Sequence, residues 1–253
     1  MNENVARPAS RPAADGPAGL AGSPVALITG AAGDLGRVLA AELCVDGWDL
    51  ALIGSNAGRL EALKATLALP GDRITTLAVD LREAEDTTAA VDAVFTRFGR
   101  IDALAHLVGG WTGGTPVADA DDEPYSAMLD QHLWSTLNVI RPLVPRMVAG
   151  GRGRIVAVSS PMAVTPDAGM SAYAVGKAAE ETLLATLARE LAGTGVTVNV
   201  LRVRAIDPAA DPRRPAEREG ATTAAEISAA IRYLFSDVGR AVHGQRLELA
   251  SGR

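Results

Sequence analysis

An apolar run at residues 24–29 passes directly into Gly30-Ala31-Ala32-Gly33-Asp34-Leu35-Gly36 and then into a helical segment that ends near Asp46. This junction constrains the fold more than any other stretch. A short apolar, β-branched run reads as a buried strand. Small residues straight after it let the backbone approach a ligand closely. The helix that follows offers unpaired N–H groups and a positive end. Strand, glycine turn and helix together form a cradle for a pyrophosphate.

The same alternation runs down the chain. Strands are expected at 48–53, 73–79, 102–108, 155–158, 196–202 and 245–249. Helices are expected from the turn after Ser55-Asn56 to about Leu69, and at 83–98, 124–149 (one long helix), from Tyr173 to Leu191, and at 224–235. Such a series predicts an α/β protein: one doubly wound, Rossmann-type parallel sheet of about seven strands with helices on both faces. Residues 1–23, rich in Ala, Pro, Gly and Arg, read as a disordered extension, and 24–253 as the domain. Residues 206–223 are polar and rich in Pro, Asp and Arg, the composition of a mobile surface loop over the pocket. Ligands of such sheets sit beyond the C-terminal strand ends, where Gly30, Gly54, Asp80, Gly109, Ser160 and Arg202 all fall.

Composition excludes several classes of function. The 253 residues are 48% hydrophobic and 21% charged, as in a soluble globular protein. A formal charge of −6 argues against nucleic acid or an anionic membrane as partner. No apolar run approaches the ~18 residues of a membrane span. The single cysteine, Cys44, allows no disulfide within the chain and fits a reducing cytoplasm. His106, His132 and His243 are far apart and show no metal-ligand spacing. Only Lys64 and Lys177 of the 24 basic residues are lysines, so each compact ammonium is informative.

Lys177 stands four residues after Tyr173, on the same face of a helix and one turn away. An ammonium so placed stabilises a phenolate and fits the phenol for giving or taking a proton at a carbonyl or alcohol oxygen. Ser160, at the end of the preceding strand, offers a hydroxyl to the same oxygen. Taken alone, a Tyr and a Lys at this spacing are also what an ordinary helix carries by chance.

With the glycine turn near the start and Ser160, Tyr173 and Lys177 in the second half, the chain resembles the short-chain dehydrogenases/reductases over residues 24–252. Asp80-Leu81, Val198-Asn199, Gly244-Gln245 and the thirteen-residue interval from Ser160 to Tyr173 add to the resemblance. It implies an NAD(P)-dependent enzyme in which Tyr173 is the general acid of reduction, Lys177 assists it and holds the nicotinamide ribose, and Ser160 positions the substrate oxygen. It implies cofactor contacts from Gly30, Gly33, Asp34, Leu35, Gly36, Ser55, Asn56, Asp80, Leu81, Gly109, Lys177, Arg204 and Ile206. It also implies a homodimer or homotetramer built through the helices at 124–149 and 170–191.

Departures from the family pattern are as informative. Where the family has TGxxxGxG, this chain has TGAAGDLG, with Gly33 one place early and Asp34 where a glycine is expected. A carboxylate there either repels the pyrophosphate or turns away and caps the helix, and capping is the expectation. The Asn-Asn-Ala-Gly after strand four is His106-Leu107-Val108-Gly109. The family's catalytic Asn falls on His132, which either passes a proton or is a packed histidine. Val203-Arg204 and Pro208 replace the Pro-Gly and Thr after strand six, leaving Arg204 either on the cofactor phosphates or in solvent. Gly109-Gly110-Trp111 and the spacing of Gly30, Gly33 and Gly36 resemble the dihydropteridine reductase branch, which would put Trp111 beside a flat substrate ring.

No acid ends strand two. Gly54-Ser55-Asn56 with Arg59 nearby is compatible with a 2′-phosphate, so NADP(H) is favoured over NAD(H). The expected activity is a cytoplasmic carbonyl reductase or alcohol dehydrogenase acting on a small or polycyclic substrate. The alternative is a non-redox member of the same scaffold, a lyase, isomerase or ligand-binding protein that has lost part of the cofactor site.

Overall fold

The computed structural model describes residues 22–208 and 220–249. Of the expected N-terminal extension, residues 1–21 lie outside the described residues, as do 209–219 of the expected pocket loop.

Strand and helix alternate as the pattern predicts. The first half of the chain contributes β1 (Val25–Thr29), α1 (Asp34–Val45), β2 (Asp49–Gly54), α2 (Ala57–Thr66), β3 (Ile74–Ala78), α3 (Ala84–Phe98) and β4 (Ala103–His106). After α4 (Asp122–Leu129) and α5 (Ser135–Ala149) come β5 (Gly153–Ser159), α6 (Ser171–Glu190) and β6 (Val196–Arg202). Two short strands, β7 (Ile206–Asp207) and β8 (Thr222–Thr223), precede α7 (Ala224–Phe235) and β9 (Arg246–Glu248).

The main sheet is parallel, in the order β3-β2-β1-β4-β5-β6-β9. Its strands are apolar at successive positions because both faces are covered. Within β1, Ala26 and Ile28 join the core under α1 and α7, while Val25 and Leu27 join the core under α3, α5 and α6. β1 and β4 lie side by side where the strand order reverses, and this reversal opens a crevice beyond their C-terminal ends.

Two expectations need correcting. The single helix at 124–149 is two helices joined by a π-helical turn at Asp130–Trp134. Hydroxyls one turn on satisfy carbonyls that this turn displaces: Ser135 Oγ donates to Gln131 O at 2.5 Å and Thr136 Oγ1 to His132 O at 2.6 Å. The stretch expected as a loop at 206–223 has a parallel strand pair at its ends, Ile206 against Thr222 and Asp207 against Thr223. Among the described residues no helix is long and apolar enough to cross a membrane.

Candidate active site

At the glycine turn the backbone is stripped of side chains by necessity. Gly30 has a φ of +67°, and a Cβ there would stand 2.8 Å from the Leu107 carbonyl oxygen. A Cβ on Gly36 would stand 2.5 Å from Ala31 O, so only glycine lets the first turn of α1 close on the loop. Gly33 is the N-cap. Asp34 is therefore the first residue inside the helix and caps nothing with its side chain, contrary to expectation. It lies at the positive end of the helix and pairs with Arg37 Nη2 at 2.5 Å. Leu35 is buried against the core.

Beyond this turn lies a cavity of about 530 Å³ whose walls include Ser55, Asn56, Arg59, Asp80, Leu81 and Gly109. Asn56 Oδ1 accepts from Arg59 N at 2.9 Å and so caps α2. Arg59 Nη2 reaches back to Ala32 O at 2.8 Å, which ties α2 to the glycine turn. The Arg82 guanidinium grips Asp80 at 2.6 Å and holds its carboxyl below the usual carboxylate range.

A second cavity of about 750 Å³ shares Gly30, Gly33 and Gly109 with the first and continues to Ser160, Tyr173 and Lys177. Asp34, Leu35, Gly36, Trp111, Arg204 and Ile206 also face it. Trp111 is 70% exposed at the rim. Ser160 follows β5 directly and caps the short helical turn Pro161–Ala163, its Oγ accepting from Met162 N at 3.3 Å. Its own proton is left for a ligand oxygen. Gly176 lets α6 press on α4 and the π turn, since a Cβ there would meet Met128 O at 2.8 Å and His132 Cδ2 at 3.0 Å. This brings Tyr173 edge-on to His132.

His132 is fully buried, and its Nε2 pairs with Gly110 O at 3.1 Å. Burial, reinforced by the charge of Lys177, pushes its pKa down to about 3. It is thus a neutral imidazole at ordinary pH, packed beside the phenol. Lys177 Nζ donates to Val158 O at 2.9 Å and to Glu180 Oε2 at 2.8 Å.

Three polar residues behind the site escaped the sequence reading of roles. Glu180 has no exposed surface, although a Glu in an Ala/Leu/Glu-rich helix reads as solvated. Its position was the available signal: it falls on the same stripe as Tyr173, Lys177, Leu184, Leu187 and Leu191. Thr136 and His106 are likewise buried, and His106 is pushed down to about 3 by burial and then by Lys177.

The residues present fit a dinucleotide: the glycine cradle has room only for backbone, and the joined cavities run from it to Tyr173.

Comparison with known proteins agrees with this geometry. The family profile described as short chain dehydrogenase matches residues 24–218. The subunit BbsC of the (2S)-[(R)-hydroxy(phenyl)methyl]succinyl-CoA dehydrogenase of Thauera aromatica is 34% identical over 239 residues, covering 90% of this chain and 94% of that protein. The 3-oxoacyl-[acyl-carrier-protein] reductase FabG of Staphylococcus aureus is 25% identical over 240 residues, covering 90% and 96%. The crystal structure of levodione reductase superposes with a TM-score of 0.81 at 25% identity, covering 90% of this chain and 96% of that one. The chain belongs to the short-chain dehydrogenase/reductase family of NAD(P)-dependent oxidoreductases.

Proposed function

We propose that this protein is an NADP(H)-dependent carbonyl reductase or alcohol dehydrogenase acting on a small or polycyclic substrate. The observation that carries the reading is that Ser160, Tyr173 and Lys177 share one cavity continuous with the glycine turn. A nicotinamide dinucleotide, when bound, supplies or accepts the hydride. The backbone N–H groups at the head of α1 hold its pyrophosphate, with Gly30, Gly33 and Gly36 giving access. Ser160 donates its free hydroxyl proton to the substrate oxygen and fixes its position. Tyr173 gives that oxygen a proton in reduction and takes one in oxidation. Lys177 supplies positive charge one helical turn below the phenol. His132 packs against the phenol ring and limits its rotation.

Arg59 and Arg82 at the adenosine end, with Ser55 and Asn56, support a 2′-phosphate and hence NADP(H). Trp111, Met162 and Met170 along the reaction cavity support a substrate with a flat or bulky apolar body. The named substrate of the Thauera aromatica relative carries a hydroxyl beside a phenyl group, a secondary alcohol of this class. Trp134 at the end of the π turn, Val148 on α5 and Val175 on α6 stand exposed, which supports association of two or four copies through those helices. A reducing cytoplasm fits the lone free Cys44.

Replacing Tyr173 by Phe tests the reading: turnover is lost while cofactor binding persists, and a Phe variant with wild-type turnover would remove Tyr173 from the mechanism. Two observations favour a second, non-redox reading. Leu107 stands where the family has Asn, and Lys177 already has a buried anion as partner. A purified protein that bound neither NADPH nor NADH would move the assignment to a ligand-binding or lyase role on the same scaffold.

A further inference from the structure

Behind Tyr173 a row of buried polar side chains leads from Lys177 to residues that the proposed chemistry leaves unused. Lys177 Nζ contacts Glu180 Oε2 at 2.8 Å, and Glu180 Oε1 lies 3.5 Å from Thr136 Oγ1. Thr136 Oγ1 is 3.1 Å from His106 Nε2, whose Nδ1 is 2.9 Å from Thr29 Oγ1. Each of these five side chains belongs to a residue no more than 4% exposed.

A proton count shows which contact matters. Thr136 has one hydroxyl proton and three acceptors around it: His132 O, His106 Nε2 and Glu180 Oε1. The shortest contact, 2.6 Å to His132 O, takes the proton. His106 then donates from Nε2 to Thr136 and accepts from Thr29 at Nδ1. Glu180 is left with the Lys177 ammonium as its close donor among the described residues. An ammonium this deeply buried needs a counter-charge, and a carboxylate this deeply buried needs a cationic partner. Each supplies the other's.

We propose that Glu180 is a positioning residue whose buried carboxylate holds the Lys177 ammonium in place, offsets its charge, and thereby sets the pH at which the Tyr173–Lys177 pair releases a proton. This rests on the reading of Tyr173 as the proton donor. With Glu180 ionised, the three groups are neutral together, and release of a proton leaves a net negative charge in a buried place. With Glu180 replaced by a neutral residue, the same release takes the cluster from positive to neutral. Removing the carboxylate therefore makes the release easier whichever of Tyr173 and Lys177 loses the proton.

Among the described residues, no other charged group duplicates this role. His106 on β4 and His132 in the π turn are neutral, pushed to about 3. Glu181, next along α6, is matched by Arg202 of β6 at 2.5 Å and Arg246 of β9 at 3.0 Å. Asp34 and Arg204 face the cavity from its walls, and Asp34 is paired with Arg37. Burial holds the Glu180 carboxyl above the usual carboxylate range, with Lys177 offsetting part of that rise, so the effect belongs to the pH range above its ionisation.

The test compares wild type with Glu180→Gln, Glu180→Leu and Glu180→Asp by tyrosinate absorbance against pH, with Tyr173→Phe subtracted to isolate the Tyr173 signal. The pH profile of kcat/KM is recorded alongside. Proton release in the two neutral variants is expected about one pH unit lower, roughly a tenfold change in the equilibrium. Glu180→Asp, which keeps the charge, stays with wild type. Neutral variants with the wild-type titration overturn the proposal, and so does an Asp variant that shifts as far as Gln, since that would make geometry and not charge the cause. Glu180→Leu matches the apolar stripe and serves if Gln fails to fold. Activity retained by Tyr173→Phe would refute the catalytic reading of Tyr173 instead, and the absorbance titration would still report on Glu180.

Discussion

The imidazole of His132 stands edge-on to the Tyr173 ring, with centroids 5.6 Å apart and planes at 72°. Its Nε2–H is committed to Gly110 O, while Nδ1 is buried with no hydrogen-bond partner among the described residues. The residue standing at the family's Asn position is therefore a neutral imidazole packed edge-on to the phenol.

Acid should destabilise the protein through this pair of buried histidines. His106 and His132 sit at about 3 in the folded protein against an ordinary value of 6.5. Between those values the unfolded chain binds protons that the folded chain refuses, so stability rises with pH across that window. It is fully present above about 6.5 and is lost as pH falls toward 3. Urea unfolding at a series of pH values should show the slope, and His106→Gln or His132→Asn should flatten it.

Close approach at the glycine turn should make it intolerant of a single methyl group. Gly36→Ala puts a Cβ 2.5 Å from Ala31 O, with backbone on both sides of the clash. The expected loss of stability is about 1–3 kcal/mol, read by urea unfolding. Affinity for the dinucleotide should fall at least about tenfold, because the N–H groups at the head of α1 move with the loop.

Cofactor preference should reside in the arginines at the adenosine end. Arg59→Ala and Arg82→Ala should each raise the Kd of NADPH by about tenfold, the scale of one charge-assisted phosphate contact, and that of NADH much less. An equal loss for both cofactors would mean that these side chains support the loop and not the 2′-phosphate.

Asp34 should prove nearly silent. Its carboxylate is paired with Arg37, so the repulsion expected of an acid beside a pyrophosphate is largely offset. Asp34→Asn should change the dinucleotide Kd by less than about threefold, the scale of a screened surface charge. A much larger gain in affinity would show that the pair opens toward the groove.

The sheet, its helices and the residues facing the crevice were legible because each rests on a local signal. Apolar runs of strand length, glycines at strand ends, and Tyr173 with Lys177 one turn apart are all visible along the chain. The π turn was not legible, because it depends on Ser135 and Thr136 back-bonding to displaced carbonyls, and both residues read as ordinary helix positions. Asp34 was misread as a cap because the helix starts one residue earlier than its acid suggests. Glu180 was hidden by its company: beside Glu181 in a charged-looking stretch, only its place on the stripe of Tyr173, Lys177 and Leu184 marks it as the one that faces Lys177, while Glu181 faces Arg202.

The most direct check is a fluorescence titration of NADPH and NADH into the purified protein, with Gly36→Ala as control. The groove and its glycine cradle predict saturable one-to-one binding, tighter for NADPH and weakened at least about tenfold by the control variant. Absence of saturable binding by either nucleotide, in protein shown to be folded, would contradict the account at its root.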